Sequence, residues 1–287
     1  MKIILSRKGF DNTSGGFPSP IFPNGRMISL PIPQLNESDR MNQLVIDNIN
    51  IGSLVNCLSK GRIIHNTPIH LDPDLYYSNK PRLEGWRPMF GQSSSSLSHL
   101  RNQGVTLGDI FLFFGLFQDI ILVNGEYHYS KSRPKHIIWG WLQIDYIIDE
   151  NYQFDIPQWA INHPHLEPHI IDNDKIELVP NNAIFVAKEK LNLCSMETNI
   201  DGGGVFKHQN QKLELSAEGM STSIWKLPKW FYPKDRKPLS YHKDIKKWKL
   251  FDNYTLLQTV GRGQEFVFDC SEYPEANKWL NELFLNI

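Results

Sequence analysis

Two apolar runs dominate the pattern of the chain. "VTLGDIFLFFGLF" (105–117) and "HIIWGWLQIDYII" (136–148) are nearly continuous in Ile, Leu, Phe and Trp, and polar turn residues separate them. Runs of that length bounded by turn chemistry read as central strands paired with each other. Met1–Ser6 reads as a further buried strand, and "AIFVAKEKL" (183–191) and "EFVFD" (265–269) as shorter ones. Helical spacing is confined to three places. "NESDRMNQLVIDNINIGSLVNCL" (36–58) has a cap, early acids and apolar spacing for one or two helices. "FGQSSSSLSHLRNQG" (90–104) sets Leu97 and Leu100 three apart behind serine caps and ahead of a glycine stop. "PEANKWLNELF" (274–284) starts on Pro274 and puts Trp279, Leu280, Leu283 and Phe284 on one face. The pattern predicts an α+β protein, with a strand-rich mixed sheet or partly closed barrel at its centre and peripheral helices. No internal repeat interrupts it, and residues 1–287 read as one elaborated domain.

A chain of 287 residues that is 40% hydrophobic and 12% aromatic has enough apolar material for a sizeable core. Cys57, Cys194 and Cys270 are too few and too dispersed for a disulfide framework or a thiolate zinc site. No apolar run reaches the eighteen residues of a membrane span, and the start lacks the pattern of a secretory signal, so a cytoplasmic protein is expected.

Thirty basic and thirty-one acidic residues look balanced, but they are segregated. Residues 143–177 carry eight acids and one lysine, whereas residues 226–249 carry nine Lys or Arg and two acids. The basic stretch interleaves Trp230, Phe231, Tyr232, Tyr241 and Trp248. Cations for phosphates and rings for stacking make a nucleic-acid contact surface, with Lys229, Trp230, Arg236, Lys246 and Lys247 as candidate contacts. The plainer reading is a solvated basic loop anchored by its aromatics.

Four segments carry candidate chemistry. Arg7 ends the first strand, and Lys8, Asp11, Gly15 and Gly16 follow in a Gly/Pro-rich loop, an arrangement able to hold a phosphate through a guanidinium and backbone N–H groups. The loop matches no Walker or dinucleotide pattern, and a structural turn is the alternative. "IHLDPDL" (69–75) places His70, Asp72 and Asp74 at alternate positions, which share a face if the segment is extended. Such a trio suits a divalent metal or proton transfer, and the competing reading is an exposed turn around Pro73. Gln92 and His99 bracket the serine run and would face the same pocket if its helix packs beside that strand. "INHPHLEPH" (161–169) offers His163, His165, Glu167 and His169, residue types that suit zinc without a recognisable ligand spacing. "TVGRGQEFVFD" (259–269) sets Glu265 at the head of a late strand, either as a catalytic carboxylate or on an exposed strand face.

"SRKGFDNTSGGFPSPIFPNGRMISLPIP", "HLDPDL", "FGQSSSSLSHLRNQGVTLGDIFLFFGLF", "HIIWGWLQI", "LSYH" and "GRGQEFVFD" resemble, in order and over nearly the whole chain, the nucleotide modification associated domain 3 family. The resemblance implies association with bacterial and phage systems that modify or police nucleic-acid bases, and with partner proteins of such a modification or defence system. It supplies no reaction. Ser6, Arg7, Asp11, Gly15, Gly16, His70, Asp72, Asp74, Gln92 and Glu265 lie within these strings, which implies that they line one site.

Three function classes follow. The first is an enzyme on a nucleotide or DNA, with Arg7, Asp11, Gly15, Gly16 and Gln92 binding substrate and His70, Asp72, Asp74 and Glu265 supplying catalysis. A variant of it notes that the order Arg7 then Glu265 is similar to that of ADP-ribosyltransferase-like enzymes, which implies NAD as cofactor in place of a divalent metal. The second is a non-catalytic reader: "GDIFLFFGLF" and "HIIWGWLQI" are similar to strands of PUA-like or EVE-like barrels, which implies that Phe113, Phe114, Trp139 and Trp141 stack on an extruded base or, more simply, fill a core. The third is an inhibitor or assembly subunit that grips an acidic protein through the basic stretch.

Overall fold

The computed structural model describes residues 1–11, 13–166, 170–171, 175–176, 178–193, 196–261 and 263–285. Its centre is a mixed sheet in which nine strands are described: β1 (Lys2–Arg7), β2 (Ser19–Ile21), β3 (Met89–Ser93), β4 (Ile110–Val123), β5 (Glu126–Tyr129), β6 (Lys135–Ile148), β7 (Asn182–Ala187), β8 (Gly203–Val205) and β9 (Glu265–Asp269). The order across it is β9-β1-β4-β6-β7-β3, with β2 and β5 also pairing with β4 and β8 with β6. The two long apolar runs form the fourteen-residue neighbours β4 and β6, which pair antiparallel. β1 lies parallel to β4 and antiparallel to β9.

Alternation divides β1 between two faces. Ile4 and Ser6 share one with Phe111 and Phe113 of β4 and with Val267 and Glu265 of β9, while Leu5 and Arg7 share the other with Leu112, Phe114 and Phe266. Phe90 of β3, at the far end of the strand order, packs on Phe111 and Phe113 at 5.0 and 5.1 Å between ring centroids. The sheet therefore curls until its two edge strands meet through side chains, and Gln92 Nε2 of β3 donates to Glu265 Oε1 of β9 at 2.7 Å. No closed barrel results, because among the described residues no backbone ladder joins β3 to β9. Between Ile138 and Gly140 the β4–β6 register slips, and Trp139 sits on that bulge.

The convex face is covered by a small sheet of Ile224–Pro228, Tyr254–Gln258 and Trp248–Leu250, whose Trp225 meets Phe114 edge-on at 4.9 Å. The C-terminal helix, Glu275–Phe284, adds Phe284 against Trp141 at 5.2 Å. A second cluster forms where the Gly/Pro-rich segment folds over: Phe10, Phe17 and Leu30 pack with Leu54 and Leu58. Here one of the one or two helices expected over residues 36–58 forms. Of residues 36–58 only Ile51–Leu58 is α-helical, capped by Asn50, whose side chain accepts from Ser53 N–H at 2.9 Å. Val45–Ile46 and Ile49–Asn50 instead form a hairpin around Asp47 and Asn48, both left-handed at φ 47° and 66°. Asp and Asn tolerate that conformation better than other L-residues, and so they override the helical spacing. The serine run forms the helix Ser94–Asn102 as expected, with Leu97 and Leu100 buried. Among the described residues no helix is long and apolar enough to cross a membrane.

Phe90 is fully buried among Phe111, Phe113 and Phe185. Phe90→Ala is expected to cost about 3–5 kcal/mol in urea unfolding. Leu122→Ala, at a side chain that is 57% exposed, is expected to stay within about 0.5 kcal/mol.

Candidate functional site

Two polar centres flank β3, whose consecutive residues Gly91 and Gln92 serve one each. The first is built on Glu265, which is 1% exposed. Its Oε1 accepts from Gln92 Nε2 at 2.7 Å and lies 3.2 Å from Lys8 Nζ. Its Oε2 is buried with no hydrogen-bond partner among the described residues, and so is Ser6 Oγ. Ser6 and Glu265 are register partners on β1 and β9, so the two orphan atoms belong to neighbouring side chains of one face. Leaving a buried polar group unpaired costs about 1–3 kcal/mol. Two in register make this pair a candidate position for a water or for a ligand's polar group.

Lys8 closes one side of this centre with its ammonium 4.6 Å from the centroid of the Phe90 ring. His99 and Tyr241 close another. Their rings stack at 4.3 Å, and His99 Nε2 is 3.1 Å from Ser240 Oγ, which also accepts from Val267 N–H at 2.8 Å. Burial pushes His99 below its ordinary pKa against the pull of Glu265, and burial with the nearby Glu265 charge pushes Tyr241 up. Tyr241 is 45% exposed and holds φ at 66°. An aromatic residue in the left-handed region is uncommon outside turns and strained sites. Ser240 was signalled in the sequence only by "LSYH" among the family-like strings, and Tyr241 by that string and as one of the rings interleaved in the basic stretch.

The second centre gathers the two histidine-bearing segments around Asp72. His70 Nε2 and His165 Nε2 lie 4.0 and 3.9 Å from Asp72 Oδ2, and His163 Nε2 lies 3.5 Å from Asp72 Oδ1. Asp72 Oδ1 accepts from Gly91 N–H at 2.7 Å. Burial would raise this carboxyl, but the surrounding His163, His165 and His70 outweigh it and hold Asp72 at about 2. The outer nitrogens are also held: His70 Nδ1 is 2.8 Å from Glu37 Oε1, and His165 Nδ1 is 2.7 Å from Asn182 Oδ1. Neither Glu37 nor Asn182 had any marker in the sequence. Among the described residues, His70, Asp72 and His165 bring one donor atom each within 4.8 Å of one another, close enough to hold a metal ion. Glu167 and His169 lie outside the described residues.

Other sequence candidates stand elsewhere. His70 and Asp72 do share a side, but Asp74 does not join them. The strand ends at His70, and Asp74 pairs by backbone with Met89 while Arg82 grips its carboxylate at 2.6 and 2.5 Å. Arg7 lies on the face opposite Glu265 and donates to Val260 O and Gly261 O at 3.3 and 3.4 Å. The order Arg7 then Glu265 thus does not place both around one NAD. In the first loop, the N–H groups of Thr13 and Ser14 bind Asp11 Oδ1 at 2.7 and 2.8 Å, and Gly16 N–H binds Asp11 O. The Asp11 carboxylate fills the position offered to a phosphate, while Gly15, at φ 84°, gives room to the Phe10 ring.

In the basic stretch, Trp230 stacks on Phe231, and Arg236 binds Glu275 at 3.0 Å and Trp230 O at 2.9 Å. Lys229 and Lys246 are exposed and Lys247 is half-buried. Phe113, Phe114, Trp139 and Trp141 are all at most 3% exposed, so they form core and no open cage for a base. A cavity of about 930 Å³ is an open groove lined by Lys135, Glu214, Lys226 and Tyr254. It touches neither polar centre.

A curled mixed sheet with peripheral helices, and with buried, incompletely paired polar side chains on its concave face among the described residues, defines a strand-rich α+β protein. Residues 2–269 match the model of the family described as nucleotide modification associated domain 3. The chain belongs to that family, and it is a nucleotide-modification-associated protein in that sense. No curated protein and no solved structure matches it.

Two further buried imidazoles set a pH window for the fold. His136 Nδ1 accepts from Trp225 Nε1 at 3.0 Å and His242 Nε2 from Val260 N–H at 3.3 Å, so both function as neutral rings. Burial lowers each to about 4 from 6.5. The unfolded chain binds these protons first, so their contribution is complete above about pH 6.5 and is lost progressively as pH falls to about 4. Melting temperature is expected to fall across that window, with a shallower decline in His242→Gln.

Proposed function

We propose that the protein is an enzyme acting on a nucleotide or a nucleic-acid base, with Glu265 as its acid–base carboxylate. One observation carries the reading: Glu265 Oε2 and Ser6 Oγ lie buried and in register between β1 and β9, without a hydrogen-bond partner among the described residues. Lys8 and Gln92 both engage Oε1. That leaves Oε2 as the atom that exchanges a proton or a hydrogen bond with a bound group. Tyr241, stacked on His99 and partly exposed, offers a face for a base at the edge of the same centre. Membership of the nucleotide modification associated domain 3 family supports nucleotides as the substrate class. The exposed lysines of residues 226–249 supply phosphate contacts if the substrate is a polynucleotide.

The test is incubation with nucleoside mono-, di- and triphosphates and with DNA and RNA oligonucleotides, plain and base-modified, read by mass spectrometry. Wild-type protein is expected to change the mass of at least one substrate. Glu265→Gln, which keeps the side-chain shape, is expected to lose activity by about 10²-fold or more with its fold intact. Full activity in Glu265→Gln, or no product from any substrate with wild type, contradicts the reading.

If the basic stretch holds nucleic acid, replacing Lys229, Lys246 and Lys247 together by Ala lowers affinity for all sequences alike. Three lost phosphate contacts flatten the slope of log K against log salt by about 2 to 3. An unchanged slope removes these lysines from the interface.

A further inference from the structure

We infer that His70, Asp72 and His165 form a binding site for one divalent first-row transition-metal ion. Two imidazoles and one carboxylate present Nε2, Nε2 and Oδ2 toward a common point, with all three donor atoms within 4.8 Å of one another. Tetrahedral ligation at about 2.0–2.1 Å sets donors roughly 3.4 Å apart. The 3.9 and 4.0 Å separations from Asp72 Oδ2 need a contraction of about half an ångström, and the third edge, which lies within 4.8 Å, closes by at most about 1.4 Å.

The surroundings are those of a ligand set. His70 Nδ1 meets the Glu37 carboxylate and His165 Nδ1 meets the Asn182 side-chain oxygen, so each Nδ1–H is the donor and each Nε2 lone pair faces inward. Gly91 makes room for this. A Cβ there would lie 2.2 Å from His165 Cδ2, and only the bare backbone lets the imidazole lie against β3 while Gly91 N–H fixes Asp72 Oδ1.

An independent observation points the same way. The His163 side chain is 0% exposed, and its Nε2 has no hydrogen-bond partner among the described residues although it is aimed at Asp72 Oδ1 from 3.5 Å. His163 Nδ1 accepts from His165 N–H, which leaves the ring proton on Nε2. An ion drawing on Oδ2 leaves Oδ1 to Gly91 and His163, and a small shift of the carboxylate completes that bond. Two histidines and one carboxylate leave coordination positions for water or substrate, as in ions that activate water or bind an oxygen ligand. The inference does not rest on Glu265, whose centre lies on the other side of β3.

Chelator-treated protein is titrated with Zn²⁺ by calorimetry and with Co²⁺ by visible absorption, without nucleotide. One ion per chain is expected, with Kd at or below the micromolar range and cobalt bands of a nitrogen- and oxygen-ligated site. His165→Ala is expected to weaken binding by about 10²-fold or more, and Glu37→Gln by about 10- to 100-fold. Glu37→Gln leaves all three ligands in place and guards against a simple folding failure, with circular dichroism confirming the fold of each variant. Glu265→Gln is expected to bind the ion as wild type does, which separates failure of this inference from failure of the enzyme reading. Absence of saturable binding of both ions, or unchanged affinity in His165→Ala, overturns the site.

Discussion

The hydrogen bond from Gln92 to Glu265 joins the two ends of the sheet. β3 and β9 are the terminal strands of the main order, and a flat sheet of that order would hold them on opposite edges. Twist and the aromatic packing of Phe90 on Phe111 and Phe113 bring them together. The concave face then closes over apolar rings except where β3 meets β9, where the buried Ser6, Gln92 and Glu265, with Lys8 beside them, replace the rings. A polar network in such surroundings is held at high cost unless it is fully paired. Here one carboxylate oxygen and one hydroxyl are not.

Strand alternation also explains why two centres arise on a five-residue strand. Gln92 points to the concave face with Phe90, and Gly91 between them offers its N–H to Asp72 and its missing side chain to His165. A residue with any side chain at 91 would push the imidazole away from the carboxylate. The two centres are thus coupled through one rigid backbone segment, and displacement of β3 would disturb both.

Much of the scaffold was legible because it follows from local pattern. The paired strands β4 and β6, the helix of the serine run and the C-terminal helix all follow from apolar runs and spacing, although Ser93 at the N-cap of the serine-run helix makes no side-chain cap bond. Within the candidate site, His70, Asp72, His163 and His165 were readable from residue type, although Asp72 lies beyond the strand whose alternation had paired it with His70. Their meeting was not, because it joins segments about ninety residues apart. Asp74 misled because the strand stops at His70 and the alternation stops with it. The first loop misled differently: its N–H groups are arranged as for an anion, but the anion is the chain's own Asp11. In the sequence Lys8 reads with Arg7 as part of a phosphate loop, but its ammonium turns to Glu265 while Arg7 lies on the opposite face of the sheet.

The most direct measurement is a crystal structure of the protein soaked with nucleotides and short oligonucleotides. The account predicts a polar atom of the ligand within hydrogen-bond distance of Glu265 Oε2 and Ser6 Oγ, with a base or sugar against Tyr241. A nucleotide held instead by Arg7 and the 11–16 loop, or in the groove of Lys135 and Lys226, with Glu265 untouched, would contradict it.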